Sequence, residues 1–132
     1  MTLAEVLSLV VTTLQRSQLC TAVRVVSTTV FSDKQFALKV RATLADESVL
    51  QVRLYVNEEH IDYAYQLIND NQPMIRWDNK EHFPSIATYP HHFHNDLGAV
   101  IESPLIGVPV NDLPVVLSYL EANVVTTQKP GF

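Results

Sequence analysis

Hydrophobic positions change period twice along this chain. Leu3, Val6, Leu7, Val10, Val11 and Leu14 recur at three- and four-residue spacing, which is the period of one helix face. Thr2 stands before them and Glu5 follows three residues later, the pairing of a capping box. The spacing predicts an amphipathic helix of about four turns. The period then drops to two. "TAVRVVSTTVF", "QFALKVRATL" and "SVLQVRLYV" are rich in β-branched residues and are separated by the short polar links "SDK" and "ADE". They predict three antiparallel strands in a meander.

The next stretch, "NEEHIDYAYQLINDNQPMIRWDN", fits two periods. Ile61, Ala64, Tyr65 and Ile68 suit a helix, whereas Ile61, Tyr63, Tyr65 and Leu67 suit a strand. Aromatic content and the turn-like "NDNQP" favour two strands joined by a hairpin. From Trp77 to Val110 the chain reads as loop, punctuated by Pro84, Pro90, Pro104 and Pro109. Period 3.6 returns in "NDLPVVLSYLEANV", a helix expected from near Asn111 with Pro114 in its first turn. The expectation is one α+β domain over residues 1–126. A five-stranded antiparallel meander carries an N-terminal and a C-terminal helix on one face. Residues 127–132, with Pro130 and Gly131, read as a flexible tail.

Alternation also sorts the charges. Lys39 and Arg41 share the polar face of the second strand. Arg53 and Tyr55 share that of the third, and Arg24 can join them from the first. One reading is an ordinary solvated sheet face. The other is a surface that follows nucleic-acid phosphates. The formal net charge of −5 opposes a general nucleic-acid coat or a membrane-surface binder, both of which are normally basic. Forty-seven per cent apolar residues suffice for a core without disulfides or structural metal. The single cysteine, Cys20, fits a reducing cytoplasm and reads as a buried filler rather than a nucleophile. The N-terminal apolar run is short, contains Glu5 and lacks a basic flank, so neither a signal peptide nor a membrane span is expected.

Chemistry concentrates in "RWDNKEHFPSIATYPHHFHN", residues 76–95. It holds four of the five histidines, His82, His91, His92 and His94, with Arg76 and Trp77. Trp77 reads as a core plug, while Asp78 and Asn79 suit loop capping or the orientation of an imidazole. Two imidazoles can divide base and acid roles near neutrality. An arginine beside them can stabilise a phosphorane, which is what metal-independent RNA cleavage requires. "HHFH" with Asp78 and Glu81 also offers metal ligands, but matches no established zinc spacing. The third option is a loop fastened by hydrogen bonds and ring packing. Arg76 and the four histidines are expected to converge on one solvent-open pocket. Adjacent residues of an extended segment point opposite ways, so His92 and His94 should share one side and His91 the other. The pair on Arg76's side is expected to carry the chemistry.

"RWDN", then "EH", then "YPHHFH", resembles the TumE-like family of small proteins from bacterial and archaeal toxin–antitoxin pairs. The resemblance is strongest over residues 76–94 and covers most of the chain more loosely. It places Arg76, Asp78, Asn79, His82, His91, His92 and His94 at motif positions. Two departures stand out: the first histidine is flanked by Glu81 and Phe83 instead of proline and a second histidine, and Phe93 stands where a basic residue is common. The resemblance implies a toxin encoded beside a helix-turn-helix antitoxin. The functional expectation is therefore a toxin-like ribonuclease, with Arg76, His82, His91, His92 and His94 as catalytic candidates. Asp78 and Asn79 support them, and Arg24, Lys39, Arg41, Arg53 and Tyr55 contact RNA. No cofactor is expected. The alternative is a non-catalytic partner-binding or metal-binding accessory protein, whose loop is structural or holds zinc or another divalent ion. The expected location is the cytoplasm, away from membranes. Apolar residues on the later strands and the final helix look surplus to a small core, which predicts a homodimer or hetero-oligomer.

Overall fold

The computed structural model describes residues 1–123. Helix α1 (Leu3–Arg16) starts at the predicted capping box. The Thr2 hydroxyl accepts from the Glu5 amide at 3.1 Å, and the Glu5 carboxylate accepts from the Thr2 amide at 3.0 Å. Such a cap contributes about 1 kcal/mol. Val6, Val10 and Leu14 form the buried stripe that the spacing foretold.

Seven strands follow in simple sequence order, all antiparallel: β1 (Cys20–Ser32), β2 (Gln35–Leu44), β3 (Val49–Val56), β4 (Ile61–Asn69), β5 (Gln72–Asp78), β6 (His92–His94) and β7 (Val100–Glu102). Helix α2 (Pro109–Asn123) closes the described chain. The α+β class and the meander agree with the pattern, but the five-stranded sheet does not. β6 and β7 lie inside the segment expected to be loop. Each is three residues long, too short to show a period. They exist because His92 and His94 pair with Asp78 and Arg76, and Val100 pairs with His94.

β4 resolves the ambiguous stretch as a strand, with Tyr63, Tyr65 and Leu67 buried at alternate positions. Its hairpin to β5 turns on Asp70 and Asn71, whose φ values of 52° and 61° are those of a two-residue type I′ loop. α2 begins earlier than expected, because Pro109 is itself suited to a first helical position. Pro114 then falls in the second turn rather than the first. The hydrogen bond it cannot donate belongs to Val110, which is 61% exposed, so water can replace it.

Both helices cover one face of the sheet. Trp77 and Phe93 stack with centroids 4.7 Å apart, and each meets Tyr119 of α2 at 5.3 Å. Aromatic contacts of this kind add about 0.5–1.5 kcal/mol each beyond burial. Trp77 is the plug its sequence position suggested. Tyr63, Tyr65, Ile75, Val116, Leu117 and Leu120 all belong to this core. The apolar surplus that suggested a dimer surface is thus consumed inside the chain. Cys20 is half-buried and burial raises its thiol's pKa, which suits a filler. Among the described residues no helix is long and apolar enough to cross a membrane. The expected tail, 127–132, lies outside the described residues.

Among the described residues the other sheet face carries no helix. Register aligns Arg41, Gln51, Gln66, Arg76 and His94 in one row, and Lys39, Arg53, Ala64, Asp78 and His92 in the next. The last positions of these rows place the candidate site.

Candidate active site

Asp78 is the centre of the cluster, although its position in the sequence suggested a supporting role. Its side chain is 3% exposed at the end of β5. Oδ1 lies 2.8 Å from His92 Nε2, and Oδ2 lies 2.7 Å from Arg76 Nε and 3.5 Å from His94 Nε2. The backbone amide of Lys80 also donates to Oδ1 at 3.0 Å. Arg76 Nε is off line for a hydrogen bond despite its short distance, so that pair is held by charge.

The two histidines of β6 differ in what their nitrogens face. His92 is 2% exposed; Nδ1 lies 3.1 Å from the Pro90 carbonyl and Nε2 faces the Asp78 carboxylate. A neutral imidazole has one donor nitrogen and one acceptor. Both His92 nitrogens face acceptors, and the ring is enclosed between the Asp78 carboxylate and the Pro90 carbonyl. His94 is the reverse. Its Nε2 is 3.2 Å from Arg76 Nη2, and a guanidinium only donates. That contact outranks the longer approach to Asp78, and fixes Nε2 as a lone pair. Burial, then the Arg76 charge, holds the His94 pKa below the ordinary histidine value. Neutral His94 is 25% exposed and so keeps contact with solvent.

His94, Arg76 and His82 line one cavity of about 250 Å³, together with Arg53, Gln66 and Lys80. Phe83 packs its edge against His92 and His94, with centroids 4.8 Å and 5.8 Å away. The Phe83 departure from the family pattern therefore sets a wall of the cavity. Sequence reasoning noted Phe83 only as a departure from the family pattern and passed over Lys80 and Gln66. Gln66 was legible only through its register opposite Arg76.

His91 is not in this cavity, which corrects the expected convergence of all four histidines. It lies on the helix side of the sheet, with Nδ1 2.9 Å from the Tyr63 hydroxyl and its ring stacked on Tyr63 at 5.9 Å. Burial lowers its pKa. Nearby, the fully buried Asp112 carboxylate accepts from the amides of Ile106 and Gly107 at 3.0 Å and 2.8 Å. A Cβ on Gly107 would come within 3.5 Å of His91 Cε1. This fastening of the α2 approach to the sheet is structural. The expectation that adjacent residues of the loop point to opposite sides describes His91 and His92 correctly.

Asn79 does not orient an imidazole. Its side chain accepts from Tyr63 N at 3.0 Å and donates to the Ile61 carbonyl at 2.8 Å, which extends the ladder to β4. Of the basic-face candidates, Lys39, Arg53 and Tyr55 line a second groove of about 780 Å³ that also reaches Lys80 and His82. Arg41 is tied to Gln51 through Nε at 2.9 Å, and Arg24 faces Arg41 in register at the sheet edge.

Asp78, His92 and His94 could hold a cation, since one ligand atom from each lies within 4.8 Å of the others. The three residues supply one ligand fewer than a closed tetrahedral zinc site, and the Arg76 guanidinium occupies the cation position beside Asp78 in this arrangement.

A family model described as Toxin TumE matches residues 10–124. Comparison with curated proteins and with solved structures returns no match.

Proposed function

The chain belongs to the TumE toxin family, with an antitoxin as its partner in general, and from that premise we propose that it is a metal-independent ribonuclease. The observation that supports this reading is one cavity that unites three histidines, His82, His92 and a neutral His94, with Arg76. His94 Nε2 takes the proton of an RNA 2′-hydroxyl. The 2′-oxygen bonds to the adjacent phosphorus as the bond from phosphorus to the 5′-oxygen breaks. His82, on the solvent side, supplies the proton that the leaving oxygen needs. A phosphate entering the cavity draws Arg76 from His94, which frees the lone pair and places a guanidinium on the developing charge. Asp78 and His92, which also line the cavity, hold Arg76 in position. The products are a 2′,3′-cyclic phosphate and a 5′-hydroxyl. The partner in this reading is a helix-turn-helix antitoxin, and the site of action is the cytoplasm.

The test uses purified protein and labelled single-stranded RNA in EDTA. Cyclic-phosphate ends should form, and His94→Ala should lower the rate by about 10²–10⁴-fold, the size of a general-base contribution. Abolition of cleavage by the chelator would instead favour a divalent ion at Asp78, His92 and His94.

A further inference from the structure

The larger groove beside the catalytic cavity has a charge pattern that the fold itself does not explain. Lys39 and Arg53 stand directly opposite each other across β2 and β3, and like charges in that position destabilise an antiparallel pair. Neither makes an ion pair or a side-chain hydrogen bond among the described residues, and Lys80, which faces the same groove, makes no ion pair either. Two carboxylates, Asp62 and Glu81, line the same groove, but each is held by another neighbour: Asp62 contacts His60 at 3.0 Å and Glu81 accepts from Tyr89 at 3.0 Å. Three cations outnumber them around a groove floored by the small residues Ala37 and Ala64. Tyr55 lies in the same groove, and its ring meets Phe31 of the neighbouring hairpin at 5.8 Å. Departures from local stability rules that lack a structural return concentrate at functional surfaces.

We infer that this groove is a binding subsite for unpaired RNA, which seats the nucleotides flanking the phosphate held at Arg76. The inference rests on the ribonuclease reading for its choice of RNA, but its geometry is separate from the chemistry. Arg53, Lys80 and His82 line both cavities, so a strand passes from one to the other without leaving the sheet. Three strand spacings separate β2 from β5, roughly 14 Å, which is room for a short run of nucleotides and not for a duplex. Lys39, Arg53 and Lys80 take backbone phosphates, and the Tyr55 ring offers a face on which one base stacks, the usual division of labour in single-strand recognition.

The experiment measures fluorescence anisotropy of a labelled eight-nucleotide RNA that is 2′-O-methylated throughout, so that its 2′-oxygen cannot attack. Wild type should bind it more tightly than the matching duplex. Lys39→Gln and Arg53→Gln should each weaken binding about 3–10-fold and lower the salt slope by about one. Tyr55→Leu should weaken binding with an unchanged slope. Thermal melting separates these effects from unfolding, because removing either member of the like-charged pair should leave the midpoint unchanged or raise it. Equal affinity for the duplex, or variants that bind as wild type does, overturns the subsite. So does equal competition by an oligoglutamate, which would make the groove a seat for an acidic protein segment. Binding with this pattern but no cleavage of natural RNA removes the ribonuclease and leaves the subsite. Cleavage that is indifferent to these substitutions does the opposite.

Discussion

Replacing Asp78 by Asn tests whether one carboxylate organises the site. Asn preserves the volume and keeps an oxygen for the Lys80 amide, so the turn after β5 survives. It removes the charge that His92 and Arg76 share. The His92 contact is sealed, with the two side chains 2% and 3% exposed, and a charge-assisted hydrogen bond of that kind contributes about 1.5–3 kcal/mol. Arg76 is 40% exposed, so solvent screening limits its share to about 1 kcal/mol or less. The sum is about 3 kcal/mol. At an unfolding entropy of about 2.1 cal/mol/K per residue over 132 residues, this corresponds to a melting point lower by about 11 °C. Calorimetry at neutral pH measures it. A melting point within about 3 °C of wild type would refute the argument that the Asp78 carboxylate holds His92 and Arg76 in place.

Three further outcomes follow from the same geometry. His91→Ala should leave RNA cleavage within about threefold of wild type while lowering the melting point, since its ring serves Tyr63 and the α2 approach; a loss as large as that of His94→Ala would return His91 to the chemistry. The pKa values of His91 and His94 are both lowered on folding from the ordinary histidine value of 6.5, chiefly by burial. The unfolded chain therefore binds more protons between that value and the lower folded ones, so stability rises with pH through this window and is lost as pH falls below about 6.5. The acid limb of the cleavage profile should lie below 6.5 for the same reason, and an NMR titration of His94 with a midpoint above it would contradict the neutral base. Tyr65→Phe should be neutral or slightly stabilising in a melt, because the Tyr65 hydroxyl is buried without a partner, and removing it relieves an unmet desolvation cost of about 1–3 kcal/mol.

The sequence by itself determined what depends on neighbours along the chain. The capping box and stripe of α1, the alternation of β2 to β4 and the tight turn at Asp70–Asn71 follow from local spacing, because each is a repeat several residues long. The same alternation put His92 and His94 on one face and His91 on the other, since period two applies to any extended segment; sheet register then set Arg76 on the side of the pair. Tertiary structure decided the rest. β6 and β7 have three residues each and take their conformation from β5, so no periodicity could announce them. Asp78 became the hub because sheet register brings His92 opposite it, and because burial turns a capping carboxylate into the shared partner of His92 and Arg76. His92 and His94 are chemically identical in sequence. They diverge because one ring is enclosed between Pro90 and Asp78 while the other meets Arg76 and solvent. The apolar residues Tyr63, Tyr65 and those of α2 that looked surplus in the sequence pack into the core once the helices fold onto the same face. Hydrophobicity signals that a side chain will be buried, and only the packing of the chain says against what.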